Sequence, residues 1–106
     1  MSVTVRDNPE LNRYEVLLED AVAGFTDYRL DAGRISFLHT EIDEAFNGRG
    51  LGKELVGFAL EDVRRRGLSV LPFCPYVRKV IARNPDAYLD LVPEEERSQF
   101  DLPVTV

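Results

Sequence analysis

Residues 34–72 read RISFLHTEIDEAFNGRGLGKELVGFALEDVRRRGLSVLP, and the fold turns on where the period of their apolar residues changes. Residues 34–42 fit a strand. From Leu51 the apolar positions Leu55, Phe58, Ala59 and Val63 follow at helical spacing and make one stripe. Arg64, Arg65 and Arg66 fall in the last turn, where the helix dipole favours cations, and Gly67 suits the left-handed residue past the end. Residues 68–73, LSVLPF, return to strand. Strand, helix and strand make a βαβ unit, so the two strands run parallel through a right-handed crossover. Their C-terminal ends then open at one edge, where open α/β sheets bind ligands, and that edge receives residues 42–50 and 72–76.

Upstream, residues 2–7 (SVTVRD) read as a first strand and 7–12 (DNPELN) as a short polar connection. Residues 13–19 alternate Tyr14, Val16 and Leu18 against Arg13, Glu15 and Glu19, the period of a strand with one buried face. Residues 21–30 give a third strand, and 31–33 (DAG) a tight turn into the fourth. Short connections make these an antiparallel meander. Downstream, residues 75–84 read as a helix with Val77, Val80 and Ile81 apolar, ended by Pro85. Residues 86–92 suggest a further helical turn, and 93–106 carry no clear pattern. The expected fold is a mixed α/β sheet, an antiparallel meander followed by a βαβ unit.

A chain of 106 residues is expected to form one domain over residues 1–106, so every motif shares one body. Apolar residues at 44% and charged residues at 30% fit a globular protein, and no apolar run approaches the roughly 18 residues of a membrane span. Residues 1–10 lack the apolar region and cleavage site of a secretory signal, so a cytoplasmic protein is expected. One cysteine excludes an internal disulfide, and one histidine beside it cannot complete a structural zinc site, so no metal is expected. A net charge of −6 argues against nonspecific nucleic-acid binding; an acidic surface suits a cationic acceptor, and serves equally as a solubility device.

Gly48, Gly50 and Gly52 stand between the fourth strand and the helix. A glycine-rich loop there leaves backbone N–H groups exposed at the positive end of the helix dipole, a phosphate cradle in principle. The nucleotide-triphosphate loop fails on its letters. Only Arg49, Gly50 and Leu51 separate Gly48 from Gly52-Lys53, where four residues are needed, and Glu54 follows where Ser or Thr would hold magnesium. The dinucleotide fingerprint would need Gly or Ala at 53, where Lys53 stands, and it would not follow a meander.

The third version of the cradle fits. The sequence resembles the GNAT superfamily of acyl-CoA-dependent N-acetyltransferases, whose signature in this loop is Gln/Arg-x-x-Gly-x-Gly/Ala. Gly50, Leu51 and Gly52 match its last three positions, and Asn47 stands where Gln or Arg is usual. More narrowly the chain is similar to the small stand-alone YjdJ-like type, with His39-Thr40-Glu41-Ile42 on the fourth strand, then the glycine loop, then Cys74-Pro75-Tyr76 after the fifth.

The resemblance implies a GNAT-like fold with strands four and five splayed around the pantetheine arm of acetyl-CoA. It also implies backbone N–H groups across residues 48–53 holding the pyrophosphate, so the expected CoA-binding set is Ile42, Asn47, Gly48, Arg49, Gly50, Leu51, Gly52, Lys53, Cys74, Tyr76 and Lys79. Arg49 and Lys53 are suitable counter-charges. Lys79 or Arg83 would meet the 3′-phosphate, or would simply be a solvated helix face.

Acetyl transfer to an amine needs a neutral nucleophile, a donor to the developing oxyanion and an acid for the thiolate. The catalytic candidates are His39, Cys74 and Glu41. Cys74 is placed as the N-cap of the next helix with Pro75 at N1, where the dipole favours a thiolate; it is a nucleophile, a contact to the CoA sulfur or a small buried residue. His39, on a face shared with Ile35, Phe37 and Glu41, is a general base or a structural histidine, with Glu41 as the second candidate base. Tyr76 is a proton donor or a packing contact, and Tyr88 belongs to the core.

Only DNPELN stands where GNAT enzymes place acceptor-binding helices, so an open acceptor site is expected, suited to an exposed amine on a protein or small molecule, or covered by a partner chain. The leading expectation is an acetyl-CoA-dependent N-acetyltransferase working by direct transfer. The alternatives are a non-catalytic CoA-binding sensor and an adaptor whose glycine loop is purely structural.

Overall fold

Strand β1 (Val3–Asn8) pairs antiparallel with β2 (Arg13–Leu18), β2 with β3 (Ala21–Asp31) and β3 with β4 (Arg34–Ile42). Strand β5 (Ser69–Pro72) then pairs parallel with β4, giving a sheet ordered β1-β2-β3-β4-β5. These elements come from a computed structural model, which describes residues 2–104. Between the parallel strands runs helix α1 (Leu51–Arg65), and after β5 come α2 (Pro75–Arg83) and the single turn α3 (Pro85–Tyr88). The expected βαβ unit and mixed sheet are both present.

Leu55, Ala59, Leu60 and Val63 of α1 and Val77 and Ile81 of α2 form one cluster with Tyr14, Val16, Tyr28, Ile35, Phe37 and Val70 of the strands. The helices therefore lie on one face of the sheet. On the other face the β1–β2 connection contributes nothing, because residues 9–12 make only a hydrogen-bonded turn, Leu11 N donating to Asn8 O and Asn12 N to Pro9 O. One stripe residue departs from expectation. Phe58 is 42% exposed although it lies on the apolar side of α1: it borders a recess open at the β1 edge, and the Tyr14 ring of β2 meets it edge-on at 6.3 Å.

The lower end of α1 is tied to the meander by a polar network. Tyr14 donates to Asp62 Oδ2 at 2.6 Å, Arg66 donates to Tyr14 Oη at 3.1 Å, and Tyr28 donates to Asp7 Oδ1 at 2.6 Å. Burial pushes both phenols above the ordinary tyrosine range. A polar cluster inside a core must be fully partnered to be tolerated, and no buried side-chain donor or acceptor among the described residues lacks a partner.

Glu15 belongs to the helix-free face, as its alternation with Tyr14 and Val16 requires, yet it is only 1% exposed. Three donors cover it: Arg13 at 2.8 Å, Arg6 at 2.9 Å and Asn8 at 3.2 Å. Burial alone would raise its pKa; those hydrogen bonds outweigh burial and hold the carboxyl below its ordinary value.

One extra residue changes the parity of β4. Tyr28 pairs with Phe37 but Asp27 pairs with His39, so Leu38 has no partner on β3 and forms a β-bulge. Beyond it Thr40 pairs with Thr26 on the helix side, while His39 and Glu41 face away. His39 therefore does not share a face with Ile35 and Phe37, contrary to the strict period-2 expectation; it shares one with Glu41 alone.

The chain after α2 is a series of short turns. Pro85 opens α3, a 3₁₀ turn covers Leu89–Leu91 and another Glu94–Phe100, and Phe100 and Leu102 are buried in the core cluster. Residues 105–106 of the expected tail lie outside the described residues.

Candidate active site

The β4–β5 ladder runs Arg34↔Ser69, Ile35↔Val70, Ser36↔Leu71, Phe37↔Pro72, and there it stops. Pro72 has no N–H to continue it, and Cys74 N closes the pair by donating to Phe37 O at 2.8 Å. Strand β4 continues for five residues, from Leu38 to Ile42, with no ladder partner on its β5 side among the described residues. The bulge and the end of pairing coincide, so β4 runs on past the end of β5 from the point where its side chains change face.

Beyond β4 the chain turns through a 3₁₀ helix, Glu44–Phe46, capped by Asp43, whose Oδ1 accepts from Ala45 N at 2.9 Å. Asn47 ends that turn, its N–H donating to Glu44 O at 3.2 Å. Gly48 at φ 81° and Gly50 at φ 72° are left-handed, and a Cβ on either would meet nothing within 4 Å. Glycine is required there by backbone conformation, not by space. Gly50 is the N-cap of α1 and makes no side-chain cap, so the first-turn N–H groups at Leu51, Gly52 and Lys53 face outward at the positive end of the dipole.

Gly52 is close-packed for a different reason. A Cβ on it would lie 2.5 Å from Tyr76 Oη and 2.9 Å from Tyr76 Cζ. The phenol of α2 thus lies directly over the first turn of α1. Leu51 and Gly52 are buried, and Lys53 projects into solvent.

Under the splay, Thr40 Oγ1 lies 3.1 Å from Cys74 Sγ and 2.9 Å from Thr26 Oγ1. Thr26 is fully buried and Cys74 is 2% exposed. Cys74 is the N-cap of α2 with Pro75 in its first turn, as expected, and it makes no side-chain cap bond. Its thiol is directed to Thr40.

His39 and Glu41 stand on the opposite face, their side chains 62% and 63% exposed, with His39 Nε2 3.4 Å from Glu41 Oε2. The Phe25 ring lies edge-on to His39 at 6.3 Å, and Arg13 covers that ring at 4.6 Å. His39 and Cys74 therefore sit at the same end of the sheet on different sides of β4. Ile42 returns to the helix side, where its Cδ1 occupies the space above Gly24.

Lys79 is exposed on α2 and borders a cavity of about 490 Å³ with Tyr76, Arg78, Phe100 and Asp101. Arg83 is exposed in the last turn of α2. Arg78 donates to the carbonyls of Pro72 at 3.4 Å and Phe73 at 3.2 Å, which fixes α2 against the end of β5.

The structure thus groups the expected residues into three contacts: Gly52 with Tyr76, Cys74 with Thr40, and His39 with Glu41. Thr40, Thr26 and Phe25 were not among the expected site residues. Threonine and phenylalanine are ordinary strand formers, and only the register of β3 against β4 marks these three. No group of His, Cys, Asp or Glu suited to a metal occurs among the described residues, and no described helix is long and apolar enough to cross a membrane.

A family model described as GCN5-related N-acetyl-transferase matches residues 13–91. Protein NATD1 of Xenopus tropicalis is 35% identical over 51 residues, which are 48% of this chain and 47% of that one. Protein NATD1 of Homo sapiens is likewise 35% identical over 51 residues, 45% of its length. The chain spans about half the length of the curated relatives it matches. The solution structure of a GCN5-like protein from Staphylococcus aureus superposes with a TM-score of 0.63 at 22% identity, covering 85% of this chain and 87% of that one. At that identity the likeness is one of fold.

Proposed function

Because the chain belongs to the GCN5-related N-acetyltransferase family, we propose that it moves an acetyl group from acetyl-CoA to a primary amine by direct transfer. The observation that carries this reading is the splay, five residues of β4 without a β5 partner, opening beside a helix N-terminus that no side chain caps. The residues present suit the ligand. Outward N–H groups of residues 51–53 and the charges of Arg49 and Lys53 would hold the pyrophosphate, and the open edge of residues 38–42 would take the pantetheine arm by main-chain hydrogen bonds.

Bound acetyl-CoA supplies the thioester. On the exposed side, His39, oriented by Glu41, takes a proton from the amine as its nitrogen becomes the nucleophile, directly or through a water. On the helix side, Thr40 and Cys74 line the sulfur end of the arm, and the Tyr76 hydroxyl donates toward the departing thiolate. The acceptor approaches across the helix-free face, which is open in this chain and accessible to an amine on a protein or small molecule, with or without a partner chain covering it. The compartment proposed for this reaction is the cytoplasm.

The test is incubation with acetyl-CoA carrying a labelled acetyl group, quenched in acid, with and without an added amine. Label on the amine alone supports direct transfer. Acid-stable label on Cys74 would replace it with a covalent route. CoA binding without any transfer would make the domain a CoA-binding module, and the absence of binding by calorimetry would overturn both.

A further inference from the structure

The two edges of the sheet are treated differently. Strand β5 has four residues and ends on Pro72, which blunts it as a template for further pairing. Strand β1 has six residues, VTVRDN, with no proline, no lysine and no register shift against β2. Its outer edge has no strand partner among the described residues. An edge left in this state is a template for pairing with another chain.

The ladder to β2 fixes which main-chain groups are free. Glu19 N donates to Ser2 O at 3.1 Å, so in the antiparallel alternation Ser2, Thr4 and Arg6 exchange hydrogen bonds with β2. The N–H and C=O groups of Val3, Val5 and Asp7 then face outward. Above them lies a recess bordered by Val3, Thr4 and Val5 on the strand and by Glu54, Gly57 and Phe58 on α1. Phe58 borders the recess from α1 and Val3 from β1, each 42% exposed.

From these observations we infer that β1 pairs with β1 of a second copy of this chain, antiparallel about a two-fold axis at Thr4, joining two sheets into one. This register sets Val3 opposite the partner's Val5 and Val5 opposite the partner's Val3. Both are pairs of outward-facing residues, so each exchanges two main-chain hydrogen bonds, and the valines lie on the helix side beneath Phe58. Thr4 faces Thr4 across the axis, and Arg6, whose charge is held by Glu15 at 2.9 Å, stands opposite a serine. No like charges oppose each other in this pairing. The alternative centred on Val5 would put Asp7, already bound to Tyr28 and Arg66, opposite Val3.

The register is testable because Thr4–Thr4 is a non-hydrogen-bonded pair, with Cα atoms about 4.5 Å apart, inside the range a disulfide spans. Under mild oxidation Thr4→Cys should cross-link to a dimer on a non-reducing gel, while Val5→Cys and the wild-type protein, whose Cys74 is buried, should not. Light scattering across a dilution series should show the mass rising from 12.0 kDa toward twice that value. Val5→Pro removes one outward N–H without touching the β2 ladder, and should return the protein to monomer; Val3→Glu, at an exposed position, should do the same should the proline variant not fold. A monomer at every concentration overturns the inference. So does a dimer in which Thr4→Cys cross-links no faster than Val5→Cys, because its two copies would then meet elsewhere.

Discussion

Thr40 Oγ1 and Cys74 Sγ are hydrogen-bonded at 3.1 Å, and the same Thr40 oxygen meets Thr26 Oγ1 at 2.9 Å. Thr40 gives its one hydroxyl proton to Thr26, so it accepts from the Cys74 thiol. Thr40→Val leaves both without a partner in a buried position and should cost about 1–3 kcal/mol, read as a lower urea midpoint at unchanged slope. Thr40→Ser, which keeps the hydroxyl, should recover most of the loss.

Two glycines of the loop should respond to alanine for separable reasons. Gly50→Ala forces a Cβ into the left-handed region at φ 72° and should destabilise the protein by about 1–2 kcal/mol whatever stands at 76. Gly52→Ala drives a Cβ into the Tyr76 ring, so its effect should shrink in a Tyr76→Ala background. A double-mutant cycle on thermal stability and on CoA affinity by calorimetry separates the two.

On the exposed face the expected effects fall on rate. His39→Gln should lower kcat of acetyl transfer by about 10²–10⁴-fold with little change in CoA affinity, as loss of a general base does. Glu41→Gln should lower it less, because Glu41 contacts the imidazole across 3.4 Å in an exposed setting and orients it. Steady-state kinetics with a fixed amine measure both; equal losses would make Glu41 the base.

Stability should fall at both ends of the pH range. Glu15 has a lowered pKa in the fold, so its contribution is complete above the ordinary value of 4.5 and is lost as the pH falls below it. Tyr14 and Tyr28 have raised pKa values, so theirs is complete below pH 10.0 and is lost as the pH rises above it. Urea denaturation of wild type and Glu15→Gln across the acid range should show a shallower loss in the variant.

The meander, the crossover helix and the glycine loop were legible because each is a local signal. Period-2 alternation marks β2, the Leu51–Val63 stripe marks α1, and Gly67 stands in the left-handed conformation at φ 71° as its position past the helix suggested. What was not legible depends on neighbours distant in sequence. The face of His39 depends on the register of β3 against β4, and the burial of Glu15 depends on Arg6 arriving from another strand. Phe58 fits the helical stripe perfectly well, and its place beside the recess at the β1 edge leaves it partly uncovered. Thr40 was in view within the His39–Ile42 motif, but its partner at position 74 lies across a crossover.

On the proposed reading, the bulge at Leu38 also lets the two halves of the transfer reaction be adjusted separately. Without the extra residue, the side chains near the splay would alternate in step with Phe37, and His39 would fall on the side of Cys74. With it, adjacent positions on one strand belong to different compartments, Thr40 to the enclosed side and His39 and Glu41 to the open one. Substitutions at Phe25, Arg13 or Glu41 should therefore leave the Thr40–Cys74 contact unchanged.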